Sequence, residues 1–256
     1  MATRDDILIE LGLAPVWQRR RTLDNTISAG IAPVTVDPVM ARERAAGVLP
    51  ALSEEDAETR RVRIGALAWD ALAADIAACT ACALCRTRTR TVPGIGDVAA
   101  DWLFVGEAPG AEEDAQGEPF VGQAGKLLDA MLAALGMARG ANVYIANVLK
   151  CRPPANRTPE PQEVESCRPY LDRQIALIKP KLIVALGKSA ATTLLGTESS
   201  IASLRGRLHR YGGIPLVVTY HPAYLLRTLA DKAKAWEDLL LARRTIQAAG
   251  RAEGIS

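Results

Sequence analysis

The chain has no apolar run approaching the roughly 18–20 residues that a membrane span needs, and it is sparing with the residues that often mark a site: two histidines and two phenylalanines in 256 residues. Its formal net charge is only +2. That is too small for the global basic field of an obvious nucleic-acid binder, although a local basic face would suffice. The N-terminal stretch "MATRDDILIELGLAPVW" carries acid where a secretory signal carries base. Together these absences point to a soluble, cytoplasmic protein. Five cysteines, Cys79, Cys82, Cys85, Cys151 and Cys167, are an odd number in a chain without an export signal, so a disulfide framework is not expected. Buried thiols or a metal site remain. No repeat with a period of 20–50 residues is visible.

What is present falls into two parts. Residues 1–60 hold an arginine run, a Pro-Val-Thr-Val-Asp-Pro stretch and "SEEDAETRR" without sustained strand alternation. They read as an N-terminal extension with one or two short helices and flexible segments. Residues 61–256 read as one domain. "RIGALAWDALAADIAAC" places Leu67, Leu72 and Ile76 near helical spacing and ends on Cys79. Four runs follow that are short enough for buried parallel strands: "DWLFVG", "NVYIANV", "KLIVALG" and "IPLVVTY". Between them, Ala124 to Leu135 has a one-sided stripe closed by Gly136. Thr158 and Pro159 suit an N-cap and first turn, and Pro169 should kink or split the helix that follows. "KAKAWEDLLLARRTIQAA" closes the chain as an amphipathic helix. Strand alternating with helix implies a doubly wound α/β/α fold with a four-stranded parallel sheet and functional loops at the carboxyl ends of the strands.

The segment "GEAPGAEEDAQGEPFVGQAG" resembles a phosphate loop in placement, but it holds five carboxylates, Glu107, Glu112, Glu113, Asp114 and Glu118. Like charges repel in a partly desolvated site. It also lacks both the G-x-x-x-x-G-K-[ST] and the G-x-G-x-x-G pattern. "GKS" at Gly187 to Ser189 has no glycine five positions earlier and reads as a strand-to-helix turn. The acid therefore faces something other than phosphate: a water, a sugar cation or a base edge. His221 stands at a strand end before Pro222, which favours an extended backbone that aims the imidazole off the sheet. His209, in "LRGRLHRYGG", reads as part of a solvated basic loop. Asn147 ends another strand, and Phe120 lies in a polar, glycine-rich loop where a core phenylalanine is not expected. Among the cysteines, C-x2-C followed after a long gap by C-x15-C suits a four-thiolate centre. Zinc and an iron–sulfur cluster both fit, and Cys82 with Cys85 competes with Cys79 with Cys82.

The segments "CTAC" with "RTVPGIG", "GEAPGAEEDAQGEPFVGQAG", "NVLKCRPPANRTP" with Cys167, and "VTYHPAYLLR" together resemble family 4 uracil-DNA glycosylases, the iron–sulfur branch of that superfamily, over about residues 65 to 245. The resemblance implies a structural [4Fe-4S] cluster on Cys79, Cys82, Cys151 and Cys167, with Cys85 free. It implies that Phe120 stacks on a flipped uracil, that Asn147 reads its polar edge, and that His221 donates to the oxygen on which charge gathers. Glu107, Glu113 and Asp114 would meet sugar and water, in a segment where Gly106 and Ala108 approach the nucleotide. Tyr224, Leu225 and Leu226 would fill the vacated stack, and Arg227, Arg86, Arg88 and Arg90 would meet phosphates. Glu107 stands where the superfamily's best-studied branch has aspartate, leaving open which carboxylate activates water. The implied partner is single- or double-stranded uracil-containing DNA, bound by a monomer, with residues 1–60 free to recruit a repair or replication partner. Two rivals are a four-cysteine nucleic-acid-binding module without glycosylase activity and a hydrolase of small nucleosides.

Overall fold

The four apolar runs that the sequence marks as strands lie side by side at the centre of one sheet. The computed structural model describes residues 55–253. In it β2 (Trp102–Gly106), β3 (Val143–Asn147), β4 (Leu182–Leu186) and β6 (Ile214–Thr219) pair in parallel, in the order β3-β2-β4-β6. Two short strands complete the sheet antiparallel at its edges, β1 (Ile95–Gly96) on β3 and β5 (Leu208–Tyr211) on β6. The expected four-stranded parallel sheet is thus the centre of a mixed, six-stranded one. The signal for β5 is the Gly-Gly pair between β-forming residues in "LHRYGGIPL", a two-residue hairpin turn. His209 therefore sits on an edge strand, its Nε2 2.7 Å from the Leu204 carbonyl, and not in a solvated loop.

Every residue of β2, β3 and β4 is buried, because alternate side chains enter two cores on opposite faces. Leu103, Val105, Ile183 and Ala185 meet α1 (Ala57–Ala66), α2 (Trp69–Ala78), α5 (Pro161–Ile178) and α6 (Lys188–Leu195) through Ile64, Leu72, Ile76, Leu171 and Leu194. Trp102, Phe104, Leu182 and Val184 meet α4 (Gln123–Ala134) and α9 (Lys232–Glu253) through Leu128, Leu132 and Leu239. At about 1.5–3 kcal/mol for each large apolar side chain removed from water, this two-sided burial fixes the three layers. Among the described residues no helix is long and apolar enough to cross a membrane.

The boundaries differ from the sequence reading in three places. The helix expected through residues 63–79 is two helices, because Leu67 and Ala68 are extended. The first of them begins at Ala57, where the Asp56 side chain accepts from the Glu58 and Thr59 N–H groups, so the folded region starts ahead of residue 61. The rest of the expected extension, residues 1–54, lies outside the described residues. Helix α5 starts at Pro161, not at the Thr158–Pro159 pair, since the Glu163 side chain reaches back to accept from the Glu160 N–H at 2.9 Å. It also runs unbroken through Pro169. Burial of Cys167, Tyr170 and Leu171 on either side of the proline outweighs the roughly 3 kcal/mol that an interior proline costs.

Candidate active site

The carboxyl ends of β2, β3 and β6 open into one cavity of about 470 Å3, where an α/β sheet of this kind binds its ligands. Each strand delivers one polar group: Glu107 one residue past β2, Asn147 as the last residue of β3, and His221 two residues past β6. Asn147 is almost wholly buried, and its Oδ1 has no hydrogen-bond partner among the described residues. A buried polar atom left unpaired is costly, so this oxygen marks a place where a ligand donor is wanted. Gly106 makes room for it: a Cβ there would stand 2.4 Å from Asn147 Oδ1 and 2.6 Å from Phe120 Cζ.

His221 caps α8 (Pro222–Leu225), and its Nδ1 accepts from the Ala223 N–H at 3.1 Å. An accepting Nδ1 puts the proton of a neutral imidazole on Nε2. Neutral is its normal state here. Burial pulls the group down to about 4, the Arg227 charge adds to this, and Glu113 opposes it. Gly187, in the turn that imitates a phosphate loop, adopts φ +93°, and a Cβ there would lie 2.9 Å from the His221 Cβ. The "GKS" turn thus lets the histidine pack close to the sheet and holds no phosphate. The Phe120 and His221 rings lie 5.5 Å apart between centroids at 29°. That is less than two stacking distances of about 3.5 Å, so a base cannot slot between them and must lie alongside.

The three candidate carboxylates have different surroundings. Asp114, 4% exposed in α3 (Ala111–Gln116), accepts the Thr89 N–H at 2.9 and 3.0 Å and the Arg90 N–H at 3.4 Å. It braces the segment after the first three cysteines and does not line the cavity. Glu113 lines it but is engaged, accepting from Gly110, Val121 and Gly122 N–H, each at 3.1 Å. It thereby ties the start of the acidic loop to its end. Glu107 also lines the cavity, and among the described residues its one side-chain partner is Ser189. Burial raises its pKa, offset in part by that hydrogen bond. Of the three, Glu107 keeps the free acceptor capacity and the basicity that proton abstraction needs.

Two supports escaped the sequence reading. Phe120 holds φ +55° without being glycine, a strained backbone. Arg139 secures it, donating from Nη1 to the Pro119 carbonyl at 2.8 Å and from Nη2 to the Phe120 carbonyl, while its Nε binds Asp129 at 2.5 Å. The second is Arg157, which lines the cavity and pairs bidentately with Glu163 at 2.6 and 2.9 Å. A single arginine in a loop offers no sequence pattern that marks such a role.

The residues expected to meet DNA separate. Tyr224 and Arg227 line the cavity and Leu226 is 42% exposed, but Leu225 is 1% exposed and packs with Tyr220 and Ala235. Leu226, not Leu225, is free to enter a base stack. Arg86 and Arg90 are exposed, whereas half-buried Arg88 turns inward, donating to Cys151 Sγ at 3.1 Å and to the Ala77 carbonyl at 3.1 Å.

All five cysteines line a second cavity. Cys79 caps α2, Cys82 and Cys85 follow in the next turn, Cys151 lies just past β3, and Cys167 sits on α5. Sulfurs of the group accept hydrogen bonds: Cys79 from Arg60 at 3.5 Å, Cys82 from the Leu84 N–H, Cys151 from Arg88, and Cys167 from the Lys150 N–H at 3.3 Å. Donors and guanidinium groups aimed at sulfur favour thiolate over thiol. Burial works the other way, pushing Cys151 up to about 11 and Cys167 to about 12. Thiols so placed ionise on binding a metal. Among the described residues no three His, Cys, Asp or Glu side chains are grouped to share one ion. The thiols border one space, a donor set that zinc and an iron–sulfur cluster both accept.

Residues 93–240 match the model of the uracil DNA glycosylase superfamily. The chain is 48% identical to the type-4 uracil-DNA glycosylase of Archaeoglobus fulgidus, over 61% of this chain and 82% of that protein. It is 44% identical to the type-4 enzyme of Pyrobaculum aerophilum (64% and 87% covered) and 44% identical to that of Thermotoga maritima (67% and 91% covered). With that breadth of match behind the geometry, the chain belongs to the uracil DNA glycosylase superfamily and, within it, to the type-4 family.

Proposed function

We propose that this protein is a DNA-repair glycosylase that extrudes uracil from DNA and hydrolyses its N-glycosidic bond, leaving an abasic site. The observation that carries the reading is the unpaired, buried Oδ1 of Asn147 beside a neutral histidine and a carboxylate, Glu107, with acceptor capacity to spare. As the bond between C1′ and uracil N1 breaks, the sugar becomes cationic and the base anionic. His221 Nε2–H is the donor for the anionic base, and the Arg227 charge, which adds to burial in keeping His221 neutral, favours the same anion. Glu107 takes the proton of the water that adds to C1′. Phe120 offers its ring to the extruded base.

Selectivity resides in Asn147. Uracil presents an N3–H donor and an O4 acceptor, whereas cytosine reverses both. An amide fixed for the first leaves buried groups unpaired against the second, worth on the order of 10⁴-fold. Extrusion costs a few kcal/mol and less from single strands or mismatches, so single-stranded uracil and U:G pairs are the favoured substrates and U:A is slower. The binding-module alternative gives the unpaired Asn147 nothing to do and is set aside.

Cys79, Cys82, Cys151 and Cys167 would hold a [4Fe-4S] cluster, and their donor set fits one. When bound, it cross-links α2, the segment after β3 and α5. The deciding experiment is uracil release from a single-stranded oligonucleotide by anaerobically purified protein, with His221→Ala alongside. Release by the wild type, slowed about 10²–10³-fold in the variant, supports the reading. Binding without release by the wild type overturns it for uracil.

A further inference from the structure

Lys150 has no part in the chemistry above, yet it is one of the most deeply buried polar side chains in the protein, 1% exposed. An ammonium taken out of water is expensive, and an apolar side chain of similar size could fill the space. What it supplies instead is direction. Its Nζ donates to the Asn147 carbonyl at 2.7 Å and to Gln174 Oε1 on α5 at 2.6 Å. Gln174 is itself oriented, because its Nε2 donates to the Pro93 carbonyl at 2.8 Å, which leaves Oε1 facing the lysine.

The consequence falls on the peptide unit between Asn147 and Val148. The Val148 N–H donates to the Gly106 carbonyl at 2.9 Å, and the Asn147 carbonyl accepts from Lys150. The unit is held from both ends, to β2 on one side and to α5 on the other. Without the lysine it can rock about its long axis and turn the Asn147 side chain with it. That side chain has little latitude, since its Oδ1 occupies the slot left by the missing Cβ of Gly106.

We propose that Lys150 is a positioning residue for base recognition: by holding the Asn147 carbonyl against Gln174, it aims the amide that reads uracil. The inference rests on the glycosylase reading and adds a residue to it. Lys150→Met removes the donor at similar volume. Gln174→Leu leaves the lysine but removes the group that anchors it. Each variant is purified anaerobically and compared with wild type for iron content, for affinity toward a single-stranded abasic oligonucleotide, and for the single-turnover rate of uracil release.

The expected result is full iron content and near-normal oligonucleotide affinity, with release slowed at least about tenfold in Lys150→Met, as misplacement of a reacting group by a fraction of an ångström costs. Gln174→Leu should show a smaller loss of the same kind. Free uracil should also inhibit both variants more weakly than wild type, because it meets only the base-reading edge. An unchanged rate overturns the proposal, as does a rate that falls in step with oligonucleotide affinity, or loss of iron in both variants. If Lys150→Met does not fold, Gln174→Leu alone decides, and wild-type rate and uracil inhibition in it overturn the proposal. Should the wild type release no uracil at all, the glycosylase reading fails. Normal release by both wild type and variants removes only the role given to Lys150.

Discussion

At the scale of single residues, the acidic loop separates into one catalytic candidate and two braces. Glu107→Gln should fold normally and lose most of its activity, about 10²-fold or more, as loss of a general base does. Asp114→Asn should instead lower the melting temperature, because one of its oxygens can no longer accept from the Thr89 and Arg90 N–H groups. The pH profile offers a finer check. The Glu107 pKa is raised by burial and lowered in part by Ser189. Activity should therefore fall on the acid side as Glu107 takes up a proton, and Ser189→Ala, which removes the lowering contact, should move that limb to higher pH. His221, held near 4, should stay neutral across this limb, with its proton on Nε2 in ¹⁵N spectra from pH 8 to 5. An imidazolium signal at pH 6 would contradict the assignment. The sequence made these residues legible as types in the right places, at strand ends and in one loop. It could not divide their labour, because Glu107, Glu113 and Asp114 differ only in which backbone N–H groups the folded loop turns toward them.

At the scale of elements, the four central strands were legible because each is a short apolar run buried on both faces. Of the two edge strands, β1 was not, because it has only two residues, and half-exposed β5 was marked by nothing more than its Gly-Gly turn. Pro169 misled for a related reason: a proline signals a local cost, while the burial that offsets it comes from the sheet beneath. The loop carrying Phe120 shows the same dependence on distant support. Its left-handed backbone conformation is held by Arg139, which is anchored to Asp129 on α4. Arg139→Ala should release the loop and cost about 1.5–3 kcal/mol in stability, the range for charge-assisted hydrogen bonds. It should also weaken inhibition by free uracil, since the ring that stacks on the base is no longer held. Thermal unfolding and uracil inhibition constants measure the two effects separately. A variant that loses stability but keeps its uracil affinity would show that Phe120 needs no such anchor.

At the scale of the whole molecule, the four thiols are drawn from three separate stretches of chain, and their placement links recognition to folding. Cys79 and Cys82 lie at the end of α2, Cys151 four residues beyond Asn147, and Cys167 on the helix that covers one face of the sheet. A centre binding all four closes loops through much of the first half of the domain but touches nothing in β6 or α9. Its removal should therefore act unevenly. Chelation of iron should raise amide exchange in α2, in residues 79–92 and in the first turns of α5, while β4, β6 and α9 stay protected. Binding energy in such sites is folding energy, so the melting temperature should also drop. The buried thiols left behind, with Cys151 pushed up to about 11 and Cys167 to about 12, would be protonated at neutral pH, and Cys151 would give Arg88 no negative charge to face. The same experiment resolves the competition among the cysteines. Cys79→Ser and Cys151→Ser should lose iron and show the exchange pattern of the chelated protein, whereas Cys85→Ser should keep both its iron and its protection. Retention of iron by Cys79→Ser together with its loss from Cys85→Ser would transfer the ligand role from the first to the second, for which the five cysteines lining one cavity already leave room.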